Sequence, residues 1–80
     1  LEPRAPLQEA QTEELTAREL EVLRLLALGK TNRQIAQEML VSLSSVKAYV
    51  RHIIDKLGVS DRTQAAVRAV ELGLLVEQQQ

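Results

Sequence analysis

Two short amphipathic stretches joined by almost nothing constrain this chain more than any other feature. Asn32 to Leu40 (NRQIAQEML) carries Ile35, Ala36, Met39 and Leu40 at helical spacing on one face. Ser42 to Leu57 (SLSSVKAYVRHIIDKL) carries Val46, Val50, Ile53, Ile54 and Leu57 at i, i+4, i+7, i+8 and i+11, a single apolar stripe at about 100° per residue. Only Val41 and Ser42 separate the two faces. A connection that short forces its helices to cross steeply, as in a helix-turn-helix unit, and Ala36 leaves room for the backbones to approach.

The face of the second stretch opposite its apolar stripe holds Ser44, Lys47, Ala48, Arg51 and, further along, Asp55. Its N-terminal half is short-chained, cationic and free of bulk. A helix with that surface can enter a DNA major groove, where small residues permit close approach and Lys and Arg reach phosphates and the acceptors on guanine edges. Taken alone, Lys47 and Arg51 would read more readily as solvated charges on an ordinary amphipathic helix. The preceding stretch and its two-residue connection favour a recognition helix.

Charge argues against that reading in sum and for it in distribution. The 80 residues carry a net charge of −1, unlike the strongly basic balance of many nucleic-acid binders. Residues 29–68, however, hold seven basic side chains (Lys30, Arg33, Lys47, Arg51, Lys56, Arg62, Arg68) against three acidic ones (Glu38, Asp55, Asp61), and the negative excess lies on either side. Charges beyond a Debye length of about 8 Å are largely screened at physiological salt, so a local cationic face on an acidic body still attracts DNA.

A chain this short makes one small domain that buries only about 60% of its unfolded surface, so no deep cavity is expected. Tyr49 is the only aromatic residue, which leaves Leu, Ile, Val and Ala to build the core. Absence of cysteine excludes a disulfide framework and thiolate chemistry. No apolar run approaches the roughly 20 residues needed to span a bilayer and no signal-peptide pattern is present, so a cytoplasmic location with no membrane partner is expected. Leu1 rather than Met opens the chain, the mark expected of a piece of a longer protein.

In chain order, residues 1–14 contain both prolines and little periodicity and read as a flexible linker or tail. Thr16 and Glu19 form a T-x-x-E capping box, flanked by Leu15 and Leu20 as a hydrophobic staple, so a helix is expected over about 17–28, stopped by Gly29. Thr31 caps the next, over about 32–40, with Gln34 completing a second box. Ser42 caps a helix over 43–57 that ends before Gly58, and Asp61 caps a fourth over about 62–72, ended by Gly73. Leu74 to Val76 are expected to fold back on the core, and residues 77–80 to fray. The fourth helix spreads Ala65, Ala66, Val67, Ala69, Val70 and Leu72 over more of its circumference than one core-facing stripe requires, which offers part of it to a partner. Alanine is also simply the best helix former. The architecture expected is all-α, a four-helix bundle-like domain over 15–76 containing a helix-turn-helix.

The run from Leu15 to Leu75 resembles the LuxR/FixJ-type helix-turn-helix domain, also called the GerE family. The resemblance rests on LTARELEVL, the GKTNRQIA junction, VSLSSVK and KLGVSDRTQA, in order and at matching spacing. It implies the DNA-binding output domain of a bacterial transcription regulator, in which the third helix lies in the major groove and the fourth helps two copies dimerise. Carried over by position, Lys47, Ala48 and Arg51 fall where the family reads base edges. Asn32, Arg33, Ser44, Ser45 and Lys56 fall at or beside phosphate-holding positions, and the dimerising surface would draw on Ala65, Ala66, Val67, Ala69 and Val70. The resemblance also implies an upstream regulatory domain, a phosphorylatable receiver or a small-molecule sensor. Two positions depart from the family's habit. Tyr49 stands where His is frequent, its ring expected against the core edge and its hydroxyl a candidate phosphate donor. Leu43 stands where a polar or acidic residue is frequent, and is expected on the core side.

Other signals carry no chemistry. Gly29-Lys30-Thr31 matches the end of a phosphate-binding P-loop, but the first glycine of that motif would fall at Arg24. His52, the only histidine, lacks companions for a metal site and is expected in solvent. No base is paired with Ser42, Ser44 or Ser45, so neither catalysis nor a cofactor is expected. Two alternatives to the leading reading are a sigma-factor-like promoter-reading domain and a helical protein-interaction module that binds through the fourth helix.

Overall fold

A computed structural model describes residues 14–75. Most of the expected linker and the residues after Leu75 lie outside that range, as does Val76, whose return to the core was expected. Four helices make up the described region: α1 (Ala17–Ala27), α2 (Asn32–Met39), α3 (Leu43–Leu57) and α4 (Arg62–Glu71). The chain is all-α there, as its periodicity requires. No described helix is long and apolar enough to cross a membrane.

Each helix starts where a side-chain oxygen satisfies a backbone N–H that has no partner within the helix. Thr16 Oγ1 accepts from the Glu19 N–H at 3.1 Å while Glu19 Oε1 accepts from the Thr16 N–H at 3.0 Å, closing the box reciprocally. Thr31 and Gln34 repeat the arrangement at 3.1 and 2.8 Å. Ser42 and Asp61 cap α3 and α4 by accepting from the Ser45 and Gln64 N–H groups, each at 3.0 Å.

The helices bury one face each against a common centre. Val22, Leu23 and Leu26 of α1, Ile35 and Met39 of α2, and Val46, Val50, Ile53 and Leu57 of α3 form most of the core. Leu15 closes it ahead of α1, and Ala65 and Ala69 bring α4 close, both fully buried. Leu74, just past α4, packs back on this core as expected.

Two residues depart from their expected places. Leu40 ends α2 rather than extending its buried face, with φ +58° and 89% of its surface exposed. The apolar pattern continues one residue past the helix. At Leu40 the backbone turns left-handed so that the Val41 N–H can bond the Ala36 carbonyl at 3.1 Å and start the two-residue link to α3. Gly58 holds the equivalent place after α3, at φ +68°. Leu43, expected on the core side, is instead 36% exposed. It opens α3 four residues ahead of Lys47, and an i, i+4 pair shares one helix face.

Candidate nucleic-acid interface

Short polar side chains and cations meet on the N-terminal half of α3. Ser44, Lys47 and Arg51 are exposed and Ser45 and Ala48 half-buried. This follows from the core: with Val46, Val50 and Ile53 turned inward, 44, 47, 48 and 51 lie toward the other side of the helix. The serines bond among themselves, Ser42 Oγ to Ser45 Oγ at 2.9 Å and to Ser44 Oγ at 3.3 Å. Tyr49 is half-buried and packs against the core, as its position between stripe and surface predicts.

A shallow groove of about 490 Å³ runs between this end of α3 and the start of α2, lined by residues 29–33 together with Leu43, Lys47 and Arg62. Its charged lining is wholly basic: Lys30, Arg33, Lys47 and Arg62. Arg62 reaches in from the first turn of α4 and donates to the Asn32 carboxamide oxygen and, at 2.8 Å, to the Lys30 carbonyl. The structure thus brings Asn32, Arg33 and Lys47 to one groove, with Ser44, Ala48 and Arg51 continuing its α3 side.

The seven cations of residues 29–68 divide by partner. Lys30 pairs with Glu38 at 3.0 Å, Lys56 with Glu19 at 2.8 Å and Arg68 with Glu71 at 3.1 Å, while Arg62 is held by neutral oxygens. Among the described residues, no carboxylate pairs with Arg33, Lys47 or Arg51. These three are the cations exposed on the groove and on the outward face of α3.

Glu19 is a link that sequence reasoning saw only as a cap. Glu19 is only 4% exposed, yet its carboxylate accepts from Lys56 and the Thr16 backbone and has His52 Nδ1 3.6 Å from its other oxygen. Burial pushes its pKa up, but the Lys56 hydrogen bond, the Thr16 bond and the nearby Lys56 and His52 charges outweigh it and hold the carboxyl below its ordinary value. Lys56, expected beside a phosphate, is therefore an anchor between α1 and α3. His52 is exposed, as expected. Nothing local in the sequence pairs Glu19 with a residue 37 positions away. Arg62 likewise stands in the sequence as a charge within KLGVSDRTQA, with nothing local to pair it with Asn32.

On α4 the expected dimerising residues separate into two sets. Ala65 and Ala69 have no exposed surface, because α4 uses them to pack closely on the core. Val67 and Val70 are 45% and 59% exposed, and Ala66 is half-buried.

A model of bacterial regulatory proteins of the luxR family matches residues 13–69. The transcriptional regulatory protein LiaR of Bacillus subtilis is 54% identical over 57 residues, 71% of this chain and 27% of LiaR. The response regulator protein VraR of Staphylococcus aureus is 43% identical over 63 residues, 79% of this chain and 30% of VraR. The transcriptional activator RamA of Corynebacterium glutamicum is 43% identical over 70 residues, 88% of this chain and 25% of RamA. The chain thus spans roughly a quarter to a third of the length of these relatives. A solved structure of the transcription factor GerE superimposes with a TM-score of 0.68 at 35% identity, covering 75% of this chain and 90% of that one. The helix-turn-helix, the basic groove and these matches agree: this chain belongs to the luxR family of bacterial regulatory proteins, a non-enzymatic family of DNA-binding transcription regulators.

Proposed function

We propose that this domain binds double-stranded DNA in a sequence-specific manner, with the N-terminal half of α3 in the major groove. Lys47, Ala48 and Arg51 contact base edges, Lys and Arg through guanine acceptors and Ala48 by permitting close approach. Asn32, Arg33, Ser44, Ser45 and Tyr49 hold the flanking phosphates, while Lys56 serves the phosphate-facing surface indirectly, by fixing α3 to Glu19. The observation that carries this reading is the sorting of the seven cations of residues 29–68: the three with neither a carboxylate nor a neutral-oxygen partner among the described residues, Arg33, Lys47 and Arg51, sit on the groove and on the outward face of α3. An arginine or lysine facing water alone gains little from that position, whereas facing phosphate it releases condensed counterions.

Two copies associate through Ala66, Val67 and Val70 and place their α3 helices on half-sites about 10 base pairs apart, on one face of the duplex. Response regulators and transcriptional regulators among the relatives support placing the domain at the output end of a longer, cytoplasmic regulator whose other part senses the signal. Selection of bound duplexes from a random pool, followed by sedimentation of the enriched complex, tests both parts. The expected product is a two-fold symmetric sequence carrying two protein copies. Enrichment of no sequence would remove specific reading, and one copy per enriched site would remove the dimer.

A further inference from the structure

Arg62 lies outside the helix-turn-helix, yet its guanidinium spans the groove wall between α4 and the start of α2. One nitrogen donates to the Asn32 carboxamide oxygen and another to the Lys30 carbonyl at 2.8 Å. A guanidinium has five donors and no acceptor, so the atom of Asn32 facing it must be the oxygen. The Asn32 amide is thereby oriented, with its oxygen occupied and its NH2 group, two donors, left for another partner. The same groove is lined by Arg33, Leu43 and Lys47 and has no acidic residue on it.

We propose that Arg62 is a positioning residue for DNA binding: it locks the Asn32 amide so that donors rather than the acceptor face a backbone phosphate. This rests on the DNA-binding reading above. An unlocked amide would present its oxygen to the anion as readily as its nitrogen, and the oxygen repels it. By gripping the Lys30 carbonyl at the same time, Arg62 also fixes the loop that carries Thr31, whose capping box sets the first turn of α2. The start of α4 is thus coupled to the phosphate-facing end of α2, 30 positions earlier in the chain.

Counterion release separates positioning from direct contact. Removing a cation that touches phosphate lowers the slope of log affinity against log salt by about 0.9, whereas losing a neutral donor leaves the slope unchanged. Affinity for a selected duplex is measured across a salt series for the wild type, Arg62→Gln, Arg62→Lys, Asn32→Ala and the double variant Arg62→Gln/Asn32→Ala, with thermal unfolding of each in parallel. Asn32→Ala and Arg62→Gln are each expected to bind about tenfold more weakly, the equivalent of one hydrogen bond of about 1.5 kcal/mol from a neutral donor to a charged acceptor, at an unchanged slope. The double variant is expected to bind no more weakly than the weaker single one. Arg62→Lys keeps the charge but not the two-pronged geometry, and is expected to share the loss. Wild-type affinity for Arg62→Lys, with a slope reduced by about 0.9 in Arg62→Gln, would make Arg62 a direct phosphate contact and overturn the proposal. Additive losses in the double variant would overturn it too. Should Arg62→Gln unfold, Arg62→Lys and Asn32→Ala still decide. Failure of the wild type to bind any duplex would remove the DNA-binding reading itself, and the positioning role with it.

Discussion

Glu19, in the first turn of α1, and Lys56, in the last turn of α3, are joined at 2.8 Å with the carboxylate almost completely buried. The same oxygen accepts from the Thr16 backbone, so the group that starts α1 also fixes the C-terminal end of α3. Orientation of the proposed reading helix against the rest of the domain therefore depends on a charge.

Glu19→Gln isolates that charge, because glutamine at this position can still complete the capping box. Removing one partner of a fully buried pair costs about 3 to 5 kcal/mol. Lys56 is a third exposed and its ammonium can rehydrate, so a loss of about 1 to 2 kcal/mol at neutral pH is expected. The sign with pH follows from the direction of the shift. Glu19 titrates lower in the folded protein than in the unfolded chain, so its contribution is complete above the ordinary glutamate range and disappears as pH falls through the folded value. Urea unfolding of both proteins should show the difference at pH 7 and its disappearance in acid. A difference that persists in strong acid would assign the effect to packing.

Leu40 carries a left-handed backbone and an almost fully exposed side chain, so its replacement gives up little packing. The left-handed region costs an L-residue about 1 to 2 kcal/mol, and glycine returns about 0.5 to 1 kcal/mol of that through its freer unfolded chain. Leu40→Gly is expected to stabilise the domain by about 0.5 to 1 kcal/mol, read as a higher denaturation midpoint at unchanged slope. A lower midpoint would mean that Leu40 packs in a way its exposure does not reveal.

Neighbours on α4 should respond in opposite ways. Ala69 has no exposed surface, and Ala69→Val is expected to cost about 1 to 3 kcal/mol through overpacking. Val70→Lys, at an exposed site, is expected to change stability by no more than about 0.5 kcal/mol while weakening self-association in sedimentation equilibrium. Unaltered association would move the dimer contact away from α4.

Local features of this structure were legible in the sequence because local chemistry produces them. Thr16, Thr31, Ser42 and Asp61 cap through bonds to residues three positions on, and the stripe Val46, Val50, Ile53, Leu57 needs only helical periodicity. The outward residues of α3 followed as its complement. At Leu40 and Leu43, where the chain turns between helices, an apolar side chain is not a buried one, and periodicity alone does not mark the difference. Ala65 and Ala69 offered a partner surface only until α4 had a place to pack. The Glu19–Lys56 and Arg62–Asn32 links join distant segments, and no spacing rule reaches that far.

The most direct test of the central claim is fluorescence-anisotropy binding of the wild type, Lys47→Ala and Arg51→Ala to a selected and a random duplex across a salt series. Steep salt dependence is expected, with a preference for the selected duplex that falls by about 1 to 3 kcal/mol in a variant that loses a bidentate base contact. Equal losses on both duplexes would assign that residue to phosphate. Negligible binding of the wild type to every duplex, at low salt and high protein concentration, would contradict the account.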